Sequence, residues 1–112
     1  MAPDSINIGR FEYLITVQSP ITQSDARGSR VRQWFSEGDY FADVDLTNAD
    51  EMVDNNNYSS QTTATITTYY IPGIDNSWRI LVGKDVFNIL SVNQVRNRPF
   101  LRIAAIKQEE VL

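Results

Sequence analysis

Two residue types are missing from this sequence altogether: its 112 residues include no cysteine and no histidine. Without thiols the chain forms no disulfide, and without thiolates or imidazoles it lacks the usual ligands of a zinc site. The same absences exclude catalytic sets that need a cysteine nucleophile or a histidine base.

Long apolar runs and an excess of positive charge are also missing. No segment approaches the roughly 20 apolar residues of a membrane span. Residues 1–8 lack the basic start and apolar centre of a signal peptide, so we expect a soluble, cytoplasmic protein. The formal net charge is −4, which argues against a free-standing binder of duplex DNA because phosphates require clustered lysine and arginine.

What the sequence does contain is a series of short segments rich in β-branched and aromatic residues. They predict six strands, at residues 12–18, 40–46, 63–71, 78–82, 86–92 and 100–107. Gly83 and Lys84 separate two of them and predict a type II′ hairpin turn. The pattern predicts an all-β fold, a small antiparallel six-stranded barrel or sandwich that forms a single domain over residues 1–112.

Three segments fall outside the predicted strands. Residues 1–9 form a flexible N-terminal arm in this interpretation, and residues 19–33 and 47–61 form two long loops. Thr47 and Asp50 have the spacing of a capping box, which predicts one short helix at residues 48–53. The asparagine-rich residues that follow favour turns and would end that helix.

The two predicted loops differ in charge. The first carries Arg27, Arg30 and Arg32 against a single acid, Asp25, and is followed by Trp34. We predict a partner-contact loop there, for phosphates or an acidic protein surface, with a merely solvated loop as the alternative. Seven acidic residues and no basic one lie between residues 37 and 54. The acidic second loop suits a passage through which DNA moves without adhering, since like charges repel, although an ordinary surface loop has the same composition.

Two further features have a plain and a functional interpretation. Asp39, Asp43 and Asp45 could hold a divalent ion or act as acid and base, but a solvated strand face explains them better. The segments 86–92 and 100–106 are apolar on both faces. A barrel strand needs only one apolar face, so a neighbouring subunit is the simplest cover for the second.

The order of short motifs along residues 8–108 resembles the phage head–tail joining family, also called head-closure, stopper or head completion proteins. The motifs are Ile8-Gly9-Arg10-Phe11 with Leu14 to Gln18, Trp34, Tyr40 to Val44, Asn48 to Glu51, Thr65 to Tyr70, Trp78-Arg79-Ile80, Gly83-Lys84, Phe87-Asn88-Ile89, Ser91-Val92 and Leu101-Arg102-Ile103.

The resemblance implies a structural virion protein of a phage neck, assembled in the host cytoplasm, and not an enzyme. It implies a six- or twelve-fold ring of copies, with portal and adaptor proteins above, tail-terminator or tail tube proteins below, and genomic DNA passing through without sequence-specific binding. It implies no cofactor and no metal. The residues it directs into the channel as a gating loop are Asn48, Asp50, Glu51, Asp54, Asn55, Asn56, Asn57 and Tyr58.

Three other interpretations stay open at this point. A tail-terminator ring is closely related to the first. A small barrel that binds nucleic acid or oligosaccharide on an open face would bind single strands with a steep dependence on salt. A hydrolase would use Asp39, Asp43 and Asp45 around a divalent ion.

Overall fold

Six antiparallel strands close into a single barrel. The computed structural model describes residues 6–24, 26–53 and 57–108, with the backbone alone at 49–53 and 57–60. The strands are β1 (Tyr13–Ser24), β2 (Arg30–Val53), β3 (Asn57–Tyr69), β4 (Arg79–Val82), β5 (Asp85–Gln94) and β6 (Phe100–Lys107). Their order around the barrel is β1-β2-β3-β6-β5-β4, and pairing of β4 with β1 completes the closure. This confirms the predicted all-β class and the six-stranded barrel.

The barrel interior is filled by the alternate apolar residues that the sequence pattern indicates. Ile15, Val17, Ile66, Ile80 and Ile103 have no solvent exposure, and Phe87 packs with them. A second, smaller cluster forms where Phe11 and Phe100 meet edge to face, with ring centroids 5.9 Å apart. The first cluster carries the hydrophobic stabilisation of the barrel, and the second fastens the segment before β1 to its outside.

The prediction of two long loops at residues 19–33 and 47–61 is wrong. Strand β1 continues through Pro20 to Ser24 and pairs with β2 from Arg30 onward, and β2 continues to Val53 and pairs with β3 from Asn57. Beyond the barrel both faces of a two-stranded ribbon meet water, so these strands show no apolar alternation that the sequence pattern could reveal. Proline has no backbone N–H and cannot donate an interstrand hydrogen bond. Pro20 is tolerated because each strand of a two-stranded ribbon is an edge strand, in which some backbone N–H groups have no interstrand partner.

The predicted short helix at residues 48–53 is also wrong, because this segment belongs to β2. Asn48 pairs with Thr62 in the β2–β3 register, and the Thr62 hydroxyl donates a 2.7 Å hydrogen bond to the Asn48 side chain. Cross-strand pairing along β3 outweighs the local capping signal of Thr47 and Asp50. The one short helical turn among the described residues is a 3-10 turn at Ile8–Arg10, which overlaps the end of the arm predicted at residues 1–9.

Gly38 lies at a bulge within β2. Val17 pairs with Gly38 and Gln18 with Ser36, which leaves Glu37 as the extra residue. A bulge bends a strand. Bending is necessary because 24 residues of straight strand would extend about 80 Å, whereas the longest dimension of the molecule is 53 Å.

The turn between β4 and β5 has the predicted form. Val82 pairs with Asp85, and the two central residues are Gly83 and Lys84. Gly83 has a φ of 60°, while Lys84 is not among the residues with positive φ. Positive φ at the first central position alone is the signature of a type II′ turn.

Candidate functional site

Two hairpins project from opposite ends of the barrel. The first, residues 19–36, is here called the basic hairpin, and the second, residues 47–61, the acidic hairpin. They lie at opposite ends because β2 begins in the basic hairpin, passes through the barrel wall and ends in the acidic hairpin. The radius of gyration, 16.2 Å, exceeds the roughly 13 Å of a compact chain of this length, as two projecting ribbons require.

The predicted partner-contact residues all belong to the basic hairpin. Arg30, Arg32 and Trp34 occupy alternate positions of β2 and therefore share one face of the ribbon. Arg27 lies in the connection between β1 and β2, where it is exposed and engaged in an interaction of its own. The structure thus brings together three of the four residues named from the sequence.

Trp34 is held against the barrel by an arginine that sequence reasoning did not select. Arg79, the first residue of β4, places its guanidinium 4.3 Å from the centroid of the Trp34 ring, and Arg32 lies 5.8 Å from the same ring. Arg79 Nε also donates a 2.7 Å hydrogen bond to Gln18 Oε1, and Gln18 Nε2 donates to the Ser36 hydroxyl at 3.1 Å. Partial burial lowers the pKa of Arg79 from its ordinary value, because desolvation disfavours the charge.

No local signal could have identified Arg79. Its role depends on the pairing of β1 with β4, which sets Arg79 opposite Gln18, and on the pairing of β1 with β2, which sets Trp34 opposite Pro20. Both pairings join residues that are distant in sequence. The cluster of Gln18, Trp34, Ser36 and Arg79 fixes the base of the basic hairpin to the barrel wall.

The acidic hairpin carries the residues predicted to gate a channel. Asp50 pairs with Ser60, Glu51 with Ser59, and Val53 with Asn57 in the β2–β3 register, and Tyr58 pairs with Met52. Asn48, at the start of the hairpin, is exposed and accepts the hydrogen bond from Thr62. Asp54, Asn55 and Asn56 lie outside the described residues. The predicted gating residues within the described ranges therefore follow one ribbon that leads away from the barrel.

Three other acidic residues between positions 37 and 54 lie where β2 forms the wall of the barrel. Each of them has a local partner or faces solvent. Arg10 Nε lies 3.6 Å from Asp43 Oδ2, the Thr16 hydroxyl donates a 2.7 Å hydrogen bond to Asp39 Oδ1, and Asp45 is exposed. Within the described part of the chain, no three carboxylates come together in a way that could hold a metal ion. The aspartates suggested for a hydrolase are thus spread along a strand face rather than gathered into a site.

Exposed apolar side chains mark two further surfaces that the sequence analysis did not single out. Leu14 and Phe41 are opposite each other in the β1–β2 register, on the outer face of the barrel, and both are more than half exposed. Val31 and Phe35 lie on the basic hairpin, on the face opposite Trp34, and are also exposed. Each of these four residues is an apolar residue at an outward-facing position. Such a position can be recognised in the sequence only when the register of the strands is known.

The strands predicted to be apolar on both faces are partly covered on the second face. In β6, Leu101, Ile103 and Ala105 are buried in the barrel, while the outward Ala104 and Ile106 are half-buried. In β5, Leu90 is the extra residue of a bulge between Ile89 and Ser91 and is exposed. The described residues form no helix that could cross a lipid bilayer.

Comparison with solved structures places the chain among known folds. It aligns with a protein chain of the virion of a native gene transfer agent particle at a TM-score of 0.65 and 17% identity, covering 85% of this chain and 93% of the other. It also aligns with a solution structure of a protein from Shigella flexneri 2a at a TM-score of 0.71 and 23% identity, covering 95% and 100% of the two chains. At these identities the likeness concerns the fold.

Comparison with protein families is more specific. No curated protein matches the chain. Residues 6–109, nearly the whole of it, match the family model of the phage head completion proteins. That match agrees with the order of motifs along residues 8–108 and with the barrel that carries them. This chain therefore belongs to the phage head completion protein family, a family of structural virion proteins.

Proposed function

We propose that this protein forms a ring beneath the portal and adaptor of a filled capsid, closes the DNA channel with its acidic hairpin, and offers its other end to a neighbouring ring. The observation that carries this proposal is the course of β2, which links a basic hairpin at one end of the barrel to an acidic hairpin at the other. A subunit with unlike ends suits a ring between two different assemblies, since each end meets a different partner. The protein then acts by binding and obstruction, not by catalysis.

The charge of the acidic hairpin supports a place in the channel. Its sequence contains Asp50, Glu51 and Asp54 and no basic residue, so it carries three negative charges. Like charge repels the phosphates of genomic DNA, which keeps the DNA from adhering while it passes. A ribbon of paired backbone can still obstruct the channel sterically, because its ladder of hydrogen bonds stiffens it relative to an irregular loop.

The basic hairpin supports contact with an acidic surface on the ring above or below. Arg30, Arg32 and Trp34 share one face, and arginine and tryptophan are the residue types that most often dominate protein interfaces. Adaptor or portal proteins on one side, and tail-terminator or tail tube proteins on the other, are the partners that the position in the particle neck requires.

Excision of the acidic hairpin tests the channel role. Asn48 and Thr62 are directly opposite each other in the register, so an Asn-Gly pair can replace residues 49–61 as a two-residue hairpin turn. The barrel core lies outside the excised segment, so the variant is expected to fold. Particles assembled with it should package DNA and then lose it before the tail attaches, which is measured as nuclease-sensitive DNA.

A matched variant separates obstruction from charge. Asp50→Asn, Glu51→Gln and Asp54→Asn together keep the length of the hairpin and remove its charge. Particles carrying this variant should retain DNA but release it more slowly, because the repulsion is gone. Full DNA retention by the excision variant would reject the gating role, and retention combined with loss of tail attachment would instead indicate a tail-terminator ring.

A further inference from the structure

The β2 strand of the basic hairpin has an unpaired edge. Along residues 30–36 it pairs with β1 on one side only, because its pairing with β3 on the other side begins at Ala42. Within the described ranges, no backbone hydrogen bond from a turn or loop reaches residues 30–36 either. On such an edge every second residue directs its backbone N–H and C=O groups outward. The hairpin thus presents a row of donors and acceptors about 23 Å long, which is enough for an added strand of ordinary length.

The opposite edge of the hairpin, on β1, is less suited to strand addition. The pairing of β1 with β4 ends at Gln18, so residues 19–24 are unpaired on that side as well. Pro20 lies within this short segment and has no N–H to donate, and proline is a usual device for protecting an edge. At the barrel end of the β2 edge, the bulge at Glu37 interrupts the ladder. The suitable stretch is therefore residues 30–36 of β2.

The side chains beside this edge differ between the two faces of the ribbon. Arg30 and Arg32 are exposed on one face, and Arg32 lies 5.8 Å from the Trp34 ring. Val31 and Phe35 are 41% and 53% exposed on the other face. An added strand also alternates its side chains between the two faces, and side chains directly opposite each other interact. The edge therefore favours a strand with acidic residues at every second position and apolar residues between them.

We propose that residues 30–36 of the basic hairpin bind an extended segment of another protein, in which acidic and apolar residues alternate, as an added β-strand. Backbone hydrogen bonds supply the attachment, and Arg30 and Arg32 select the acidic positions. Val31 and Phe35 contact the apolar positions on the other face. A second copy of the same edge fits less well, because each copy brings two arginines and no acidic residue over residues 30–36, so like charges would meet. The inference rests on the proposed function, in that it names the kind of partner that the basic hairpin contacts.

The edge is held in place at its barrel end without a partner. Arg79 lies 4.3 Å from the Trp34 ring, and the Gln18 side-chain amide donates a 3.1 Å hydrogen bond to the Ser36 hydroxyl. These contacts restrain residues 30–36, so the strand loses little conformational entropy when a second strand is added. The basic hairpin can thus serve as a template, while the incoming segment is the part that becomes ordered on binding.

Titration of the isolated protein with synthetic peptides tests the contact. The probe is a capped peptide in which aspartate and valine alternate, and the control peptide has the same composition with its aspartates grouped at one end. The alternating peptide should bind at least about tenfold more tightly, because only its aspartates and valines can meet their counterparts on separate faces of the ribbon. Hydrogen exchange should slow at alternate amides of residues 30–36, an effect that binding through side chains alone does not produce.

Charge reversal on the ribbon separates this site from general electrostatic attraction. Arg30→Glu combined with Arg32→Glu should weaken binding of the alternating peptide at least about tenfold, and this variant should instead bind a peptide in which lysine replaces aspartate. Arg96→Glu combined with Arg98→Glu is the matched control, because both arginines are exposed in the β5–β6 turn, outside the ribbon. At physiological salt, where exposed charges are screened beyond about 8 Å, the control variant should bind the alternating peptide within about twofold of the unmodified chain. All four positions are exposed, so circular dichroism should show intact folding.

Backbone methylation of the peptide tests the hydrogen-bond ladder itself. Two further peptides carry N-methyl groups on all of the aspartates or on all of the valines. In an added strand one of these two sets of N–H groups points toward β2 and the other toward solvent, so only one of the two peptides should lose binding. Equal affinities of the two methylated peptides would overturn strand addition.

Other results would also overturn the proposal. Equal binding of the alternating and grouped peptides would show that the arginines attract acids without a paired strand. Tighter binding of a single-stranded oligonucleotide at the same two arginines would assign them to phosphates. Self-association that the Arg30→Glu and Arg32→Glu variant abolishes, without any binding of the peptide, would assign the edge to a second copy.

The peptide experiments are independent of the proposed channel role. The variant lacking residues 49–61 keeps residues 30–36, so it should bind the alternating peptide normally whether or not its particles retain DNA. Full DNA retention by that variant would reject the gating role and leave the peptide result unchanged. The strand contact and the gating role can therefore fail separately.

Discussion

The guanidinium of Arg79 lies over the indole ring of Trp34, with its central carbon 4.3 Å from the ring centroid. The two residues come from β4 and β2, on either side of β1, and Arg79 also bonds to Gln18 between them. One arginine on the barrel thereby sets the direction in which the basic hairpin leaves it. Any partner that recognises Arg30, Arg32 or Phe35 depends on this contact, although Arg79 is not part of the hairpin.

Arg79→Met should destabilise the fold and loosen the hairpin. Loss of a partly desolvated cation–π contact and of a hydrogen bond from a charged donor should lower the free energy of unfolding by about 2 kcal/mol. Arg32→Met is the control, because Arg32 is exposed and 5.8 Å from the same ring, and it should cost less than about 0.5 kcal/mol. Denaturant unfolding followed by tryptophan fluorescence measures both, and equal effects would contradict the bracing role of Arg79.

Gly38→Ala should be costly at the bulge where the basic hairpin joins the barrel. Gly38 has a φ of 155°, which other residues rarely adopt, and a Cβ there would lie 3.3 Å from the Tyr40 ring. We expect a loss of about 1–3 kcal/mol in the free energy of unfolding. Glu37→Ala, one residue away and exposed, should change it by less than about 0.5 kcal/mol. A Gly38→Ala variant as stable as the unmodified chain would show that the backbone relaxes freely at this bulge.

The sequence predicts those parts of the fold in which one face of a strand is buried. Ile15, Val17, Ile66 and Ile103 alternate with outward residues, and each of these positions is buried as the period of two requires. The hairpins could not be predicted in this way, because neither face of a projecting ribbon is buried. Their strands are specified by partner pairing, which a single sequence does not display.

The candidate site likewise has features that the sequence predicts and features that depend on strand pairing. The basic and acidic characters of the two segments follow from composition alone, and so they could be predicted before their structure was known. The opposite ends at which the segments leave the barrel, the contact of Arg79 with Trp34 and the exposure of Leu14 beside Phe41 all depend on register. Each of these features involves residues from different strands, so the sequence pattern of a single strand does not predict it.

Ile66→Ala should be among the most destabilising single changes in the barrel. Ile66 is fully buried in β3 and packs in the main core cluster. Removal of its side chain leaves a cavity and should cost about 2–5 kcal/mol. Leu90→Ala is the control for apolar truncation, since Leu90 is 54% exposed, and should cost less than about 0.5 kcal/mol. Thermal and denaturant unfolding measure both, and similar losses would mean that the bulge at Leu90 is packed in solution.

The turn before β4 should weaken on acidification. The Ser77 hydroxyl and the Ser77 amide both donate hydrogen bonds to Asp75, and these bonds lower the pKa of that carboxyl from its ordinary value. A lowered folded pKa contributes stability that is present above the unfolded pKa and is lost as the pH falls through the folded one. Ser77→Ala removes the larger of the two causes, so the Asp75 midpoint measured by NMR titration should rise toward the ordinary value in that variant. Equal midpoints in the two proteins would show that the Ser77 hydroxyl does not bind Asp75 in solution.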